Sequence, residues 1–209
     1  MSRDYGPSGS TYGHLFTDRV LLRPITPGDL PALRQLELSD HLAPTWRYAG
    51  ATPSPAEHEH FTWAGQLAGF VVIDVASQDY LGICSCINPD HINRFAYLAL
   101  CRFGGMERSP VYLQGALLFL NYVFQNWDFE KLYVETPGHA LAQFSSSVGR
   151  LFVEEGVLRD HLYRVGGRVD LHILAIYRDQ WLQYGRPLYE ALIGTPHHGD
   201  GPVGKMAEV

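Results

Sequence analysis

The stretch FAYLALCRFGGMERSPVYLQGALLFLNYVF, residues 95–124, decides how the rest of the chain is read. Phe95 to Cys101 is a short run of aromatic and aliphatic residues, and Gly104-Gly105 breaks it before it can continue as a helix. Ser109 then offers an N-cap side chain, and Pro110 suits a first helical position, so a helix is expected from there to about Asn126. The unit is a strand, an irregular loop and a helix. A helix N-terminus aimed off a strand end binds phosphate in many folds, because its first N–H groups are unpaired.

Upstream, Arg19 to Ile25 (RVLLRPI) reads as a first strand. Thr26-Pro27-Gly28-Asp29 gives a capped turn into a short helix, with Leu30, Leu33 and Leu36 at helical spacing and an end near Ser39. Asp40 to Pro55 carries Pro44, Pro53, Trp46 and Tyr48 and reads as a loop of the kind that covers binding sites. Ser54 caps a second helix over Pro55 to Leu67. From Phe70, the runs FVVIDVA, YLGICSCIN and FAYLALC read as an antiparallel meander. Beyond the central helix, Lys131 to Thr136 is a strand and about His139 to Val148 a helix. Phe152 to Arg164 and Arg168 to Tyr177 form a long hairpin turning at Gly166-Gly167, and Asp179 to Ile193 adds a last helix.

This order implies an α+β fold with a mixed, mostly antiparallel sheet flanked by helices. The strands on either side of the central helix are expected to be parallel neighbours, and a splay between the fourth and fifth strands opens a cleft. Residues 16–194 are expected to form a single domain, with 1–15 a flexible N-terminal arm and 195–209 a disordered tail.

With 209 residues, 46% of them apolar and 18% charged, the chain can bury a core of its own. A net charge of -6, with only 16 Lys and Arg, disfavours broad contact with nucleic acid or an anionic membrane. Cys84, Cys86 and Cys101 form no even framework and lie in expected strands, so free thiols and a cytoplasmic setting are expected. No signal-peptide pattern or spanning apolar run is seen. The His58/His60 pair, at i and i+2, reads as solvent-facing rather than metal-binding, and no metal is expected.

Four segments carry a family resemblance. Val20-Leu21-Leu22-Arg23-Pro24, Leu117 to Phe124 (LLFLNYVF), Glu155-Gly156-Val157-Leu158-Arg159-Asp160 and Tyr177-Arg178-Asp179-Gln180-Trp181 follow one another over residues 19–182. Their order and spacing resemble the GNAT N-acyltransferase superfamily, most of all its branch of ribosomal-protein N-terminal acetyltransferases. The resemblance implies a GNAT-like domain that moves an acyl group from acetyl-CoA or another acyl-CoA to an amine of a small molecule or peptide. It also implies outer strands that pair in a homodimer. In this family a Q/R-x-x-G-x-G/A motif holds the CoA pyrophosphate on backbone N–H groups. Here Glu107, Pro110 and Tyr112 occupy its three marked positions when the central helices are matched: a like charge, a missing N–H and a bulky side chain. A second register restores Arg102 and Gly104 one loop earlier. An acyl carrier protein is therefore the alternative donor, since its phosphopantetheine arm lacks the adenosine diphosphate. A catalytically silent ligand-binding protein is the third reading.

Acyl transfer to an amine needs a base, a polarised thioester carbonyl and a proton for the thiolate. By the resemblance, the carbonyl and donor arm meet the backbone near Leu100 and Cys101, with Arg102, Gly104, Gly105 and Arg108 as the remaining cofactor contacts. Glu135 and Tyr133 share a face of their strand beside the expected cleft, and Glu135 can take a proton directly or through water; a solvent-facing strand-end glutamate is an equal reading. His139, just beyond, has a side chain whose unperturbed pKa near 6.5 suits base work. Ser145 stands where the family often has the tyrosine that protonates the thiolate, and Tyr112 or Tyr133 are substitutes for it. Trp46, Arg47, Tyr48 and Trp63 are candidates to wall the acceptor pocket, with core packing of the tryptophans an equal competitor.

Overall fold

The computed structural model describes residues 15–39, 48, 50–103, 110–143, 149–164 and 166–193. The arm expected over 1–15 and the tail over 195–209 lie, apart from Leu15, outside the described residues. Leu15 is fully buried, and its carbonyl accepts the Leu22 N–H at 2.9 Å.

Strand β1 (Val20–Pro24) buries Val20 and Leu22 and leads through a 3-10 turn (Pro27–Asp29) into helix α1 (Leu30–Glu37). Asp29 fixes that junction. Its carboxylate accepts the Thr26 N–H at 2.7 Å, the Tyr80 hydroxyl at 2.7 Å and two Arg23 bonds at 2.6 and 3.0 Å. Burial pushes the Asp29 carboxyl up, but these donors together outweigh it and hold the group well below the usual range.

Helix α2 (Pro55–Trp63) begins as read: Ser54 accepts the Glu57 N–H while Glu57 accepts the Ser54 N–H at 2.8 Å. It ends four residues short of the expected Leu67. Gly65 takes a left-handed φ of +67°, and β2 (Gln66–Asp74) starts there because Gln66 already pairs with Ile87 of the next strand. Strands β3 (Tyr80–Asp90) and β4 (Phe95–Arg102) complete the antiparallel meander. Helix α3 spans Pro110–Asn126, as its proline and apolar run predict; Ser109 lies outside the described residues.

After α3, β5 (Lys131–Pro137) runs parallel to β4. The helix expected over 139–148 is a 3-10 turn over Gly138–Gln143 where it is described. Strands β6 (Val153–Arg164) and β7 (Gly167–Tyr177) form the hairpin, with Gly166 at φ +79° in its turn. The chain then closes with α4 (Arg178–Gln180), a π-helical turn (Trp181–Gly185) and α5 (Arg186–Ile193). The sheet order is β1-β2-β3-β4-β5-β7-β6, antiparallel except at β4–β5. The expected fold class is therefore the observed one.

Period-two alternation sends one side of strands β1 to β5 and β7 toward α3 and α5, where Val72, Phe119, Leu132 and Leu174 are fully buried. The other side meets α1 through Val71, Ile73, Ile83 and Leu33. Arg178 locks the far end of α3. Its guanidinium donates to the carbonyls of Phe124, Trp127 and Phe129 at 2.9, 2.6 and 2.8 Å and lies 5.2 Å from the Phe124 ring centroid. Arg178→Ala is expected to lower the unfolding free energy by about 3 kcal/mol, because three carbonyls lose a charged donor. Urea unfolding measures this, and a loss under about 0.5 kcal/mol would show that water replaces the guanidinium.

Candidate functional site

Strands β4 and β5 pair only at Phe95–Lys131, Ala96–Leu132 and Tyr97–Tyr133. Beyond that point each strand keeps its other neighbour: β4 stays with β3 as far as Arg102–Gly82, and β5 stays with β7 as far as Pro137–Leu171. The two halves of the sheet diverge, and a gap opens between Leu98–Arg102 on one side and Val134–Pro137 on the other. This is the splay the sequence predicts.

The ladder pattern shows which backbone groups face the gap. Phe103 N–H donates to Leu81 O at 2.8 Å, so by antiparallel alternation Cys101 and Ala99 also turn their N–H and C=O toward β3. Leu98 turns its N–H to β5 at the last pair, Tyr97–Tyr133, and its C=O, like the groups of Leu100 and Arg102, toward the gap. On the other wall, Arg178 N–H donates to Glu130 O, which sets residues 132, 134 and 136 toward β7 and leaves Glu135 facing the gap. Leu100 thus has the orientation predicted for a carbonyl-binding backbone group. Cys101 does not: its backbone belongs to the β3 ladder and its side chain is buried with Ile83 and Phe103. Arg102 is half-buried at the end of β4, while Gly104, Gly105 and Arg108 lie outside the described residues, as does Glu107.

Tyr112 does not stand in the gap. Its ring turns from α3 onto β3 and fills the notch left by Gly82, where a Cβ would meet Tyr112 Cε2 at 2.6 Å and the Cys101 carbonyl at 2.2 Å. The hydroxyl donates to Ile83 O at 3.3 Å. Burial pushes this phenol well above the usual tyrosine range, and its ring lies on β3 rather than in the gap. Burial likewise pushes the Cys84 and Cys86 thiols up to about 12, which removes both as nucleophiles.

On the α1 side of the sheet, the first residue of β5 beyond the last β4 pair is Glu135, and it is exposed. Tyr133 is already engaged: its hydroxyl donates to Glu155 at 3.0 Å, and its ring lies 5.4 Å from that of Tyr97. The Lys131 ammonium donates to both Glu155 oxygens at 3.1 Å and sits 4.6 Å from the Tyr133 ring centroid; the Tyr177 hydroxyl also donates to Glu155. His139 is exposed on the 3-10 turn after β5, and Ser145 lies outside the described residues.

Of the acceptor-wall candidates, Trp46 and Arg47 lie outside the described residues. Trp63 is exposed at the end of α2, whereas Tyr48 is buried, with its ring 6.0 Å from those of both His58 and Phe61. His58 corrects the sequence reading. It is 1% exposed, and its Nε2 lies 3.5 Å from Glu37 Oε2, itself 1% exposed. The pair joins α1 to α2 at the two roots of the loop between them. Its signal was present in the pattern: His58 and Thr62 are four apart and share the inward face. Lys131, Glu155 and Tyr177 had no such signal, because they meet only through strand pairing and a register break at Glu155.

No family model matches the chain, and no curated protein matches it. Solved structures do. A spermidine N-acetyltransferase from Vibrio cholerae in complex with CoA and spermine superimposes with a TM-score of 0.64 at 21% identity, over 78% of this chain and 98% of that one. A GCN5-related N-acetyltransferase from Brucella melitensis gives 0.65 at 22%, over 85% and 83%. The ribosomal L7/L12 alpha-N-protein acetyltransferase RimL, in complex with CoA, gives 0.66 at 17%, over 78% and 97%. The chain has the GNAT fold.

The Glu155 cluster carries a pH prediction. Burial raises the Glu155 carboxyl, but bonds from Tyr177, Lys131 and Tyr133 outweigh it and leave the group below its ordinary value. A depressed folded-state pKa stabilises above the unfolded value, near 4.3, and that contribution is lost as pH falls through the folded one. Glu155→Gln is therefore expected to lower the Tm at pH 7, and that difference is expected to shrink as the pH falls below the unfolded value. A difference that does not change with pH would assign the effect to packing rather than charge.

Proposed function

We propose that this chain transfers an acyl group from an acyl-CoA thioester to an amine of a small molecule or peptide. The observation that carries the reading is the gap itself: paired strands part beyond Tyr97 and Tyr133, and the next β5 side chain on the open face is an exposed carboxylate, Glu135. The Leu98 carbonyl and the backbone groups of Leu100 and Glu135, beyond the last β4–β5 pair, fit an amide-bearing arm, because such groups require partners when covered. We take the acyl group as acetyl, since the three structural neighbours are acetyltransferases by name.

In this reading a bound acyl-CoA supplies the thioester; the nitrogen–carbon bond forms, the carbon–sulfur bond breaks, and the thiolate takes a proton from water. Glu135 accepts the proton given up by the acceptor amine, directly or through one water. The Leu100 N–H, turned into the gap, donates to the carbonyl oxygen as it gains charge. Tyr133, with Glu155 and Lys131, stiffens the floor of the open face.

Three free, buried cysteines suit a reducing, cytoplasmic setting. A homodimer of this chain has two outer strands to pair through, β1 and β6, of which β6 is interrupted by register breaks near Glu155 and between Leu158 and Leu162, with Asp160 at φ +49°.

Glu135→Gln keeps the size and removes the base. It is expected to lower kcat by roughly a hundredfold or more with little change in the KM for acetyl-CoA. A kcat within about threefold of the parent would remove Glu135 from the mechanism.

A further inference from the structure

We infer that His172, held by Glu154, is the acid behind the water that protonates the departing thiolate. This rests on the acyl-transfer reading above and adds to it a catalytic residue on the opposite face of the sheet from Glu135.

Strand alternation places the pair. On β5, Leu132 and Val134 go into the core under α3, and on β7, Leu174 and Ile176 do the same. Two residues further along each strand, Thr136 and His172 stand opposite one another on that same α3 face, at the stretch of β5 that β4 has left. Glu135 takes the other face. An amine that gives its proton to Glu135 reaches the thioester carbon from the α1 face, so the tetrahedral centre carries its sulfur toward the α3 face. A proton is needed there when the carbon–sulfur bond breaks. Tyr112 lies on β3 rather than in the gap, and Tyr133 lies on the α1 face, bonded to Glu155.

The His172 ring is oriented for this step. Its Nδ1 lies 3.0 Å from Glu154 Oε2 of β6, and the side chain is half-buried. Nε2 points at Gly138, the residue after β5, where a Cβ would lie 3.4 Å from it. Glycine thus leaves this nitrogen uncovered where β5 ends and the 3-10 turn begins. Asp170, the other carboxylate on this side of β7, is committed to the Asp160 N–H at 2.9 Å and to Arg159 at 2.6 Å, so Glu154 is the carboxylate that holds the ring. A carboxylate on Nδ1 fixes which nitrogen exchanges its proton.

The proton balance closes. As the carbon–sulfur bond breaks, sulfur keeps the electron pair and takes, through one water, the Nε2 proton of the imidazolium. Nδ1 keeps its proton toward Glu154. Solvent then restores the Nε2 proton and removes the one that Glu135 took from the amine.

Nitrogen NMR of the full chain reads the ring directly, with the His172 signals assigned by their absence from His172→Gln. They are expected to shift with CoA and to shift much less with desulfo-CoA, which differs only in lacking the sulfur. CoA that binds without moving them, or equal shifts with the two ligands, would overturn the inference and leave the acyl-transfer reading standing; a chain that binds no CoA would overturn both. In turnover with acetyl-CoA and small alkylamines or short peptides, kcat of the parent is expected to fall at alkaline pH as the imidazolium is lost. His172→Gln is expected to lower kcat by about tenfold or more, to abolish that alkaline fall and to leave the KM for acetyl-CoA within about threefold. A kcat within about threefold of the parent, with the alkaline fall retained, would overturn the inference. Should His172→Gln fail to fold, Glu154→Gln on the edge strand carries the test: it leaves Nδ1 an uncharged partner and is expected to move the alkaline fall to lower pH. An unmoved fall would contradict the role given to the pair.

Discussion

The structure turns on one arrangement: β4 and β5 each keep a single neighbour along their full length. β4 stays beside β3 to its end and β5 beside β7 to its end, so the parallel pairing between them survives for three residue pairs and then stops. Strand twist drives the two half-sheets apart from there. The result is an edge inside the sheet, with N–H and C=O groups aimed across a gap that α3 leaves open. Backbone groups in that state require water or a ligand. The geometry therefore specifies what sort of molecule fits before any side chain is considered.

Side chains around the gap divide by the sheet's two faces. On the α3 face, Ala96, Leu98, Leu132 and Val134 go into the core and hold both strands against the helix. On the α1 face, Lys131, Tyr133, Glu155 and Tyr177 bond to one another and leave Glu135 as the exposed carboxylate beside the opening. Lys131 keeps its proton more firmly than a free lysine. Burial works against the charge, but its bonds with Tyr133 and Glu155 outweigh that, so its ammonium supports the floor and does not act as a nucleophile.

Much of this was legible in the sequence, and the exceptions have physical causes. Pro110 and the run to Asn126 announced α3, Ser54 announced the start of α2, and Gly166-Gly167 announced the hairpin, because each is a local signal. The end of α2 was not legible: Leu67 continues a helical pattern, but pairing across to β3 draws Gln66 and the residues after it into β2. His58 looked solvent-facing because its partner, Glu37, sits on another helix. Tyr112 looked like an obstruction because the notch that receives it is Gly82, far off in sequence and on β3. Cys101 and Leu100 are neighbours in sequence, and only the ladder shows that one faces β3 and the other the gap.

The central claim is that the Leu98 carbonyl and the Leu100 backbone groups receive the donor. Amide hydrogen exchange, resolved for individual residues by NMR with and without saturating CoA, tests it most directly. The Leu100 amide is predicted to exchange rapidly in the free protein and to gain protection of about a hundredfold or more with CoA, while Leu98, bonded to β5 at the last pair, and Ala99 and Cys101, bonded to β3, change little. Unchanged exchange at Leu100, with new protection elsewhere on the molecule, would contradict the account.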